Sequence, residues 1–122
     1  MDAHGHSRGL LASWYLRVVR YKDFSMVVGI LLKAQFRGSP IFWSCLNLYA
    51  PYYGRECFWD LIFSKGLLDL DNLILTGDLN FMVSATEVWG SSARVDPLAH
   101  YFTNMILCSH LVDMAPVRLG PT

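Results

Sequence analysis

The sequence predicts an α/β fold, and three observations predict it. Apolar runs of strand length come in series, separated by turn signals. A helical pattern stands between two of them. A second helix carries its own start signal near the far end of the chain. The first apolar stretch, Leu10 to Trp14, reads as a strand. Phe24 to Phe36 follows as a longer strand-like run, rich in Val and Ile and interrupted by Gly29. Arg37-Gly38-Ser39-Pro40 is a turn signal, so Ile41 to Tyr49 reads as the return strand of a hairpin. Pro51 stops that strand, because proline has no N–H to give to a ladder.

Arg55 to Lys65 reads as a helix ended by Gly66, with Phe58, Leu61 and Ile62 at helical spacing. Asp69 and Asp71 fall in the return loop. Leu73-Ile74-Leu75 is short and wholly apolar, the pattern of a strand buried on both faces, and Gly77 ends it. The clearest helix is 97–107. Asp96 is placed as its N-cap and Pro97 as its first residue. Leu98, Tyr101, Phe102, Met105 and Ile106 form its apolar face, which leaves His100 on the solvated side. Leu111 to Met114 reads as the start of a further strand. One domain over residues 9–122 is expected, with 1–8 disordered.

Composition narrows the function. The chain has 122 residues, ten basic and ten acidic side chains, 53% apolar residues and only 16% charged ones. A net charge of zero argues against a free-standing nucleic-acid binder that relies on a basic excess. The hydrophobicity excludes disorder. It is also high for so small a domain, which should bury a smaller share of its surface than a large one. A membrane span is not expected, since Met26 to Leu32 is bounded by Lys22, Asp23 and Lys33 and falls short of about 20 residues. The N-terminus makes a poor secretion signal, with Asp2 where basic residues belong and Ser13 breaking the apolar stretch. Cys45, Cys57 and Cys108 are odd in number, lack a C-x-x-C pair and lie among apolar residues; they read as reduced, buried thiols of an intracellular protein. Charge is uneven: residues 1–37 hold six basic and two acidic groups, and the remainder holds four and eight. The basic part reads first as solvated strand residues, with proximity to phosphate as the alternative.

Two segments place polar groups at the ends of apolar strands. In Asn47-Leu48-Tyr49-Ala50-Pro51-Tyr52, Asn47 and Tyr49 share a strand face. In Leu75-Thr76-Gly77-Asp78-Leu79-Asn80, Asp78 and Asn80 do likewise, and Gly77 lets the backbone approach closely. Spacing alone leaves two readings open, a site at the lip of a strand and an Asx-turn in which Asp and Asn bond their own backbone. His4 and His6 form an H-x-H at a terminus, where metal binding would be adventitious.

These two segments, in this order and separated by one helix, resemble the endonuclease/exonuclease/phosphatase family. Trp43 to Pro51, Arg55 to Asp60 and Arg94 to Leu98 look more particularly like the apurinic-type endonuclease region of plant LINE-type retrotransposons. The likeness runs from about Gly9 to Thr122. It implies a fragment of a four-layer α/β sandwich with mixed β-sheets, and Mg²⁺-dependent hydrolysis of phosphodiesters in DNA. By match to the family's motifs, Asp78 would orient or deprotonate the attacking water. Asn80 would hydrogen-bond the scissile phosphate, and Tyr49 would contact phosphate or metal-bound oxygens. Asn47, Tyr52 and Thr122 would lie on the substrate side, Thr122 where the family's Thr-Trp motif begins. Nuclear location would follow from the same likeness.

The family's metal-binding Glu belongs on a strand upstream of Gly9, where this chain offers Met1 to Arg8 and no Glu. The family's Arg-x-Asp and Ser-Asp-His motifs would lie beyond Thr122. None of His4, His6, His100 and His110 stands at the family's His position, and Glu87 reads as a loop carboxylate, so no metal ligand is assigned. A metal's Lewis acidity is worth several kcal/mol of barrier and each charge-stabilising donor about 10²–10³ in rate. The expectation is a partial, inactive phosphodiesterase domain that does not hold Mg²⁺ tightly and self-associates through exposed apolar surfaces. Two alternatives stand beside it: an active endonuclease completed by further segments or a partner chain, and a non-catalytic interaction protein that keeps the fold fragment.

Overall fold

A computed structural model describes residues 17, 19–26, 29–83 and 95–114. The predicted strand at Leu10 to Trp14, the residues 1–8, the H-x-H pair and Glu87 lie outside the described residues. The chain divides into two compact units, residues 1–80 and 81–122.

In the first unit, four strands form one mixed sheet in the order β1 (Val19–Met26), β2 (Gly29–Phe36), β3 (Phe42–Tyr49), β4 (Leu73–Asp78). Helix α1 (Arg55–Ser64) joins β3 to β4. β1 with β2 and β2 with β3 are antiparallel; β3 with β4 is parallel. The chain is therefore a small α/β assembly, as expected. The long run from Phe24 to Phe36 is not one strand. It belongs to two that pair antiparallel, with Met26 opposite Gly29. Apolar content alone does not locate a reversal when the residues on both sides of it are strand formers. Gly29 has a packing reason: a Cβ there would lie 2.4 Å from the Asn47 carbonyl oxygen.

Burial along β3 alternates. Ser44, Leu46 and Leu48 are buried, while Cys45 and Asn47 are half-buried and Tyr49 is exposed. Leu46, Leu48, Trp59, Ile62 and Leu68 are at most 2% exposed and form the centre of the core. That alternation identifies the sheet face that α1 covers. The helix turns Trp59 and Ile62 inward; of the expected Phe58, Leu61 and Ile62, Ile62 is buried, Phe58 half-buried and Leu61 49% exposed. The i, i+3 pair is right in kind but starts one residue later, because Trp59 carries the larger apolar area into the core. β4 is not buried on both faces. It stands at the edge of this sheet, and its Ile74 is half exposed. Nor does Gly77 end it, since the strand continues to Asp78.

The second unit holds α2 (Ala99–Cys108). Phe102 and Met105 are buried, Phe81 stacks on Phe102 at 4.6 Å, and Tyr101 meets Phe102 edge-on, so the predicted apolar face is the inward one. Asp96 Oδ1 accepts from the Leu98 N–H at 2.9 Å, which makes it the side-chain anchor of the turn before the helix. Exposed His100 lies 3.2 Å from the Asn104 amide nitrogen. Leu111 to Met114 is not a strand; Val112 and Met114 are exposed there. The thiols also depart from expectation, as Cys57 and Cys108 are exposed and Cys45 is half-buried. Apolar neighbours in sequence do not bury a residue that falls on the outer side of a helix. Among the described residues no helix is long and apolar enough to cross a membrane.

Both helices end in the same way. After α1, Gly66 N–H donates to Phe63 O and Leu67 N–H to Ile62 O. After α2, His110 N–H donates to Leu107 O and Leu111 N–H to Ile106 O. Each is a Schellman closure, which needs a left-handed residue just past the helix. Gly66 (φ 65) supplies it at no steric cost, but His110 (φ 53) carries a Cβ there. His110→Gly is expected to stabilise the chain by up to about 1 kcal/mol and Gly66→Ala to destabilise it by about 1 kcal/mol, both read from urea midpoints.

Candidate functional site

The parallel pair β3–β4 brings the candidate residues together. Tyr49 stands opposite Asp78 and Asn47 opposite Thr76. Residues in register on parallel strands share a face, so Tyr49 and Asp78 are side-by-side neighbours, about 4.8 Å apart along the hydrogen-bonding direction. This is the carboxyl end of two adjacent parallel strands joined by a helical crossover, the place where open α/β sheets hold ligands.

Backbone and side-chain bonds build a lip at this end. The Ala50 N–H donates to the Asp78 carbonyl at 2.8 Å. The Asn80 N–H donates to Asp78 Oδ1 at 3.3 Å, which closes an Asx-turn. The Asn80 side-chain amide donates to the Ala50 carbonyl in a short bond. Arg55 donates from Nη1 to the Asn80 carbonyl at 3.0 Å. Asn80 sits at φ 49, a left-handed conformation that asparagine tolerates better than most residues. The two readings of the Asp-x-Asn spacing thus coexist: the Asx-turn is formed, and it stands at a strand lip with the Asp78 side chain exposed.

Gly77 makes the lip possible. It has φ 113, and a Cβ there would lie 2.0 Å from the Leu48 carbonyl oxygen and 2.8 Å from Asn47 Oδ1. Asn47 Oδ1 itself is buried and has no hydrogen-bond partner. An unpaired buried acceptor costs about 1–3 kcal/mol. It lies on the face that carries Tyr49 and Asp78.

Of the sequence-predicted site residues, Asn47, Tyr49, Asp78 and Asn80 share this end of the sheet. Tyr52 is 74% exposed and meets Tyr53 edge-on at 5.0 Å. Thr122 lies outside the described residues. Arg55 was not read as a site residue, and nothing local marks it; only the fold brings it to Asn80, twenty-five positions away.

Mg²⁺ is held by one or two carboxylates with phosphate oxygens and waters in a strict octahedron. Among the described residues the lip supplies one carboxylate, Asp78, and one of its oxygens accepts from Asn80. Among the described residues no group of three or more His, Cys, Asp or Glu side chains is placed to hold a metal. What the lip offers is a carboxylate able to accept a proton or orient a water, a neighbouring phenol able to donate to an anionic oxygen, and a guanidinium one residue-loop away.

No protein-family model matches the chain, and no curated protein matches it.

Asn80→Ala is expected to destabilise the chain by about 1–3 kcal/mol, since it removes the bond to Ala50 and leaves a non-glycine residue in the left-handed region. Asn80→Gly should cost less, because only the bond is lost; denaturation midpoints measure both. Cys45 stands two and four residues from Asn47 and Tyr49 on the same face, and burial pushes its thiol above the ordinary cysteine range. A raised folded-state thiol pKa contributes stability that is lost as pH rises above the unfolded value. Cys45 is expected to alkylate with iodoacetamide more slowly in the folded chain than after urea unfolding, a ratio read by mass mapping at mildly alkaline pH.

Proposed function

We propose that the chain carries one half of a phosphodiesterase site of the endonuclease/exonuclease/phosphatase type, derived from a LINE-type retrotransposon, and that it does not hydrolyse DNA on its own. One observation supports this most: the β3–α1–β4 crossover sets Tyr49 beside Asp78, with Asn80 folded over the same lip. In that reading the four-stranded sheet is one of the two sheets of a four-layer sandwich. Its exposed apolar residues, Ile74 among them, are surfaces that further parts of such a sandwich would cover, and through which isolated chains self-associate.

The residues divide the work as follows. Asp78 keeps one carboxylate oxygen on the Asn80 N–H, which fixes its direction, and presents the other to a water. Tyr49 donates its hydroxyl to a phosphate oxygen. Asn80 gives one amide hydrogen to Ala50, which shapes the lip; contact with phosphate would fall to the second hydrogen of the same Nδ2. The Mg²⁺ of the family would stabilise the charge that builds on the phosphoryl oxygens and the leaving oxygen, with Asp78 the carboxylate the lip would offer it. DNA is the partner and the nucleus the place of action on this reading.

A plasmid-nicking assay with millimolar Mg²⁺, and a second with an oligonucleotide bearing an abasic site, test the proposal. No cleavage above buffer is expected. Mg²⁺-dependent cleavage that disappears in Asp78→Ala would establish the alternative, an enzyme complete without further segments. A chimera in which residues 41–80 replace the corresponding crossover of an active family endonuclease tests the other half. Cleavage by the chimera that falls at least 10²-fold with Asp78→Ala is expected, and a folded but inactive chimera would remove the family reading.

A further inference from the structure

The outer edge of β4 is unprotected. The Ser44 N–H donates to the Asn72 carbonyl at 3.2 Å and the Ala50 N–H to the Asp78 carbonyl at 2.8 Å. Backbone groups alternate in direction along a strand, so Ile74 and Thr76 also turn theirs toward β3. Leu73, Leu75 and Gly77 then turn their N–H and C=O groups the other way, where among the described residues no strand lies. Ile74 is 48% exposed beside them and Gly77 is exposed, so water reaches this edge. Sheets usually blunt such an edge with lysine, proline or a bulge. β1, at the far side of the sheet, carries exposed Arg20 and Lys22. β4 reads Leu-Ile-Leu-Thr-Gly-Asp, with no lysine and no proline, and its single charge stands at the end.

An edge of this kind takes another strand, and this edge is complementary to itself. Turned antiparallel about a two-fold axis at Leu75, two copies set Leu75 opposite the partner's Leu75 and Leu73 opposite the partner's Gly77. Those are the residues whose backbone groups face outward, so they form the hydrogen-bonded pairs. Ile74 then falls opposite the partner's Thr76, a pair of β-branched residues at the non-hydrogen-bonded positions, where side chains come closest. The two Asp78 side chains lie at opposite ends of the ladder, about 20 Å apart. Each meets the partner's Asn72 with exposed Asp71 beside it, so the ladder stops at these carboxylates. Centring the axis on Gly77 would bring the two Asp78 to within about 7 Å of each other. A parallel pairing would need an offset between the copies and could not close on a two-fold axis.

We propose that β4 is the contact edge of a symmetric dimer, in which antiparallel pairing with the β4 of a second copy joins two four-stranded sheets into one. The contact depends on backbone geometry and not on apolar area alone. An edge of six residues buries less than a standard interface of about 1,600 Å², so the dimer is a weak one that forms on concentration. It rests on the sheet and not on the phosphodiesterase reading, so the two fail independently.

Sedimentation velocity on the full chain over a concentration series tests the proposal, with amide exchange followed by NMR on the same samples. A monomer–dimer equilibrium is expected. The Leu75 N–H, which faces outward in the monomer, is expected to exchange more slowly as concentration rises. Ile74→Lys places a charge at the contact in both copies and is expected to weaken the dimer at least about ten-fold. Phe36→Lys removes an exposed apolar residue of the same sheet face from β2, away from the edge, and should leave the dimer unchanged. Far-UV circular dichroism checks that both variants fold; if Ile74→Lys does not, Leu75 exchange in the unaltered chain decides. The proposal is overturned by a monomer at every concentration, the result expected if the edge serves a strand of another protein. It is overturned equally by assembly that does not stop at the dimer, or by Leu75 exchange indifferent to concentration. Equal weakening in Ile74→Lys and Phe36→Lys also overturns it, since association would then belong to the apolar face.

Discussion

The parallel register of β3 and β4 is the constraint on which the rest depends. Two asparagines hold it, one at each end. Asn72 donates its side-chain amide to the Phe42 carbonyl at 2.9 Å, where the pair begins, and Asn80 donates to the Ala50 carbonyl where it ends. Both adopt φ 49, and in both bonds donor and acceptor are thirty residues apart. Neutral hydrogen bonds of this kind are worth about 1 kcal/mol each. Their larger effect is on register. A slip of β4 by one residue would send Asp78 to the face of Leu48 and bring Leu75 to the open one, because side chains alternate with a period of two. The carboxylate, the phenol beside it and the glycine that lets the backbones close are all placed by that one pairing.

Much of this was legible in the residues. The hairpin around Arg37-Gly38-Ser39-Pro40, the helix ended by Gly66, the apolar face of 97–107 and the need for a glycine at 77 each rest on a local rule, and local rules are written in sequence. The misreadings share a cause. Whether Phe24 to Phe36 is one strand or parts of two depends on where the chain reverses, and Val and Ile favour strands on either side of a reversal. The side of α1 that turns inward depends on what Trp59 meets in three dimensions. The exposure of Ile74, Cys57 and Cys108 depends on what covers each element. The site was legible as a set of residue types at strand ends, but not as a set of bonds. Nothing in Asp78-Leu79-Asn80 announces that the Asn80 amide reaches Ala50, or that Arg55 holds the loop from behind. Asn72 carried no signal at all, since its role exists only once β3 lies beside it.

Both ends of the sheet carry both signs of charge. Arg20, Lys22, Lys33 and Arg37 come from the basic first part of the chain, and exposed Asp71 precedes Asn72 where β4 starts beside Phe42. Asp78 stands at the other end, where Arg55 donates to the Asn80 carbonyl. For a chain that averages to neutrality, local fields within about a Debye length decide what approaches which end.

The asparagine clamps also bear on the order in which the molecule assembles. β1 and β2 close over the shortest of separations, with Met26 opposite Gly29, and hairpins form in about 1–10 μs. β4 must wait for the whole α1 crossover to be ordered before Asn72 and Asn80 can find β3, and such non-local closure is slow. Among the described strands β4, like β1, has a neighbour on one side only. Of these two edges β4 closes over the longer stretch of chain, so the lip carrying Asp78 is less protected than the central strands. In native-state hydrogen exchange its amides are expected to open ahead of those of β2, which makes the candidate site part of a sub-global unfolding unit at one edge of the sheet.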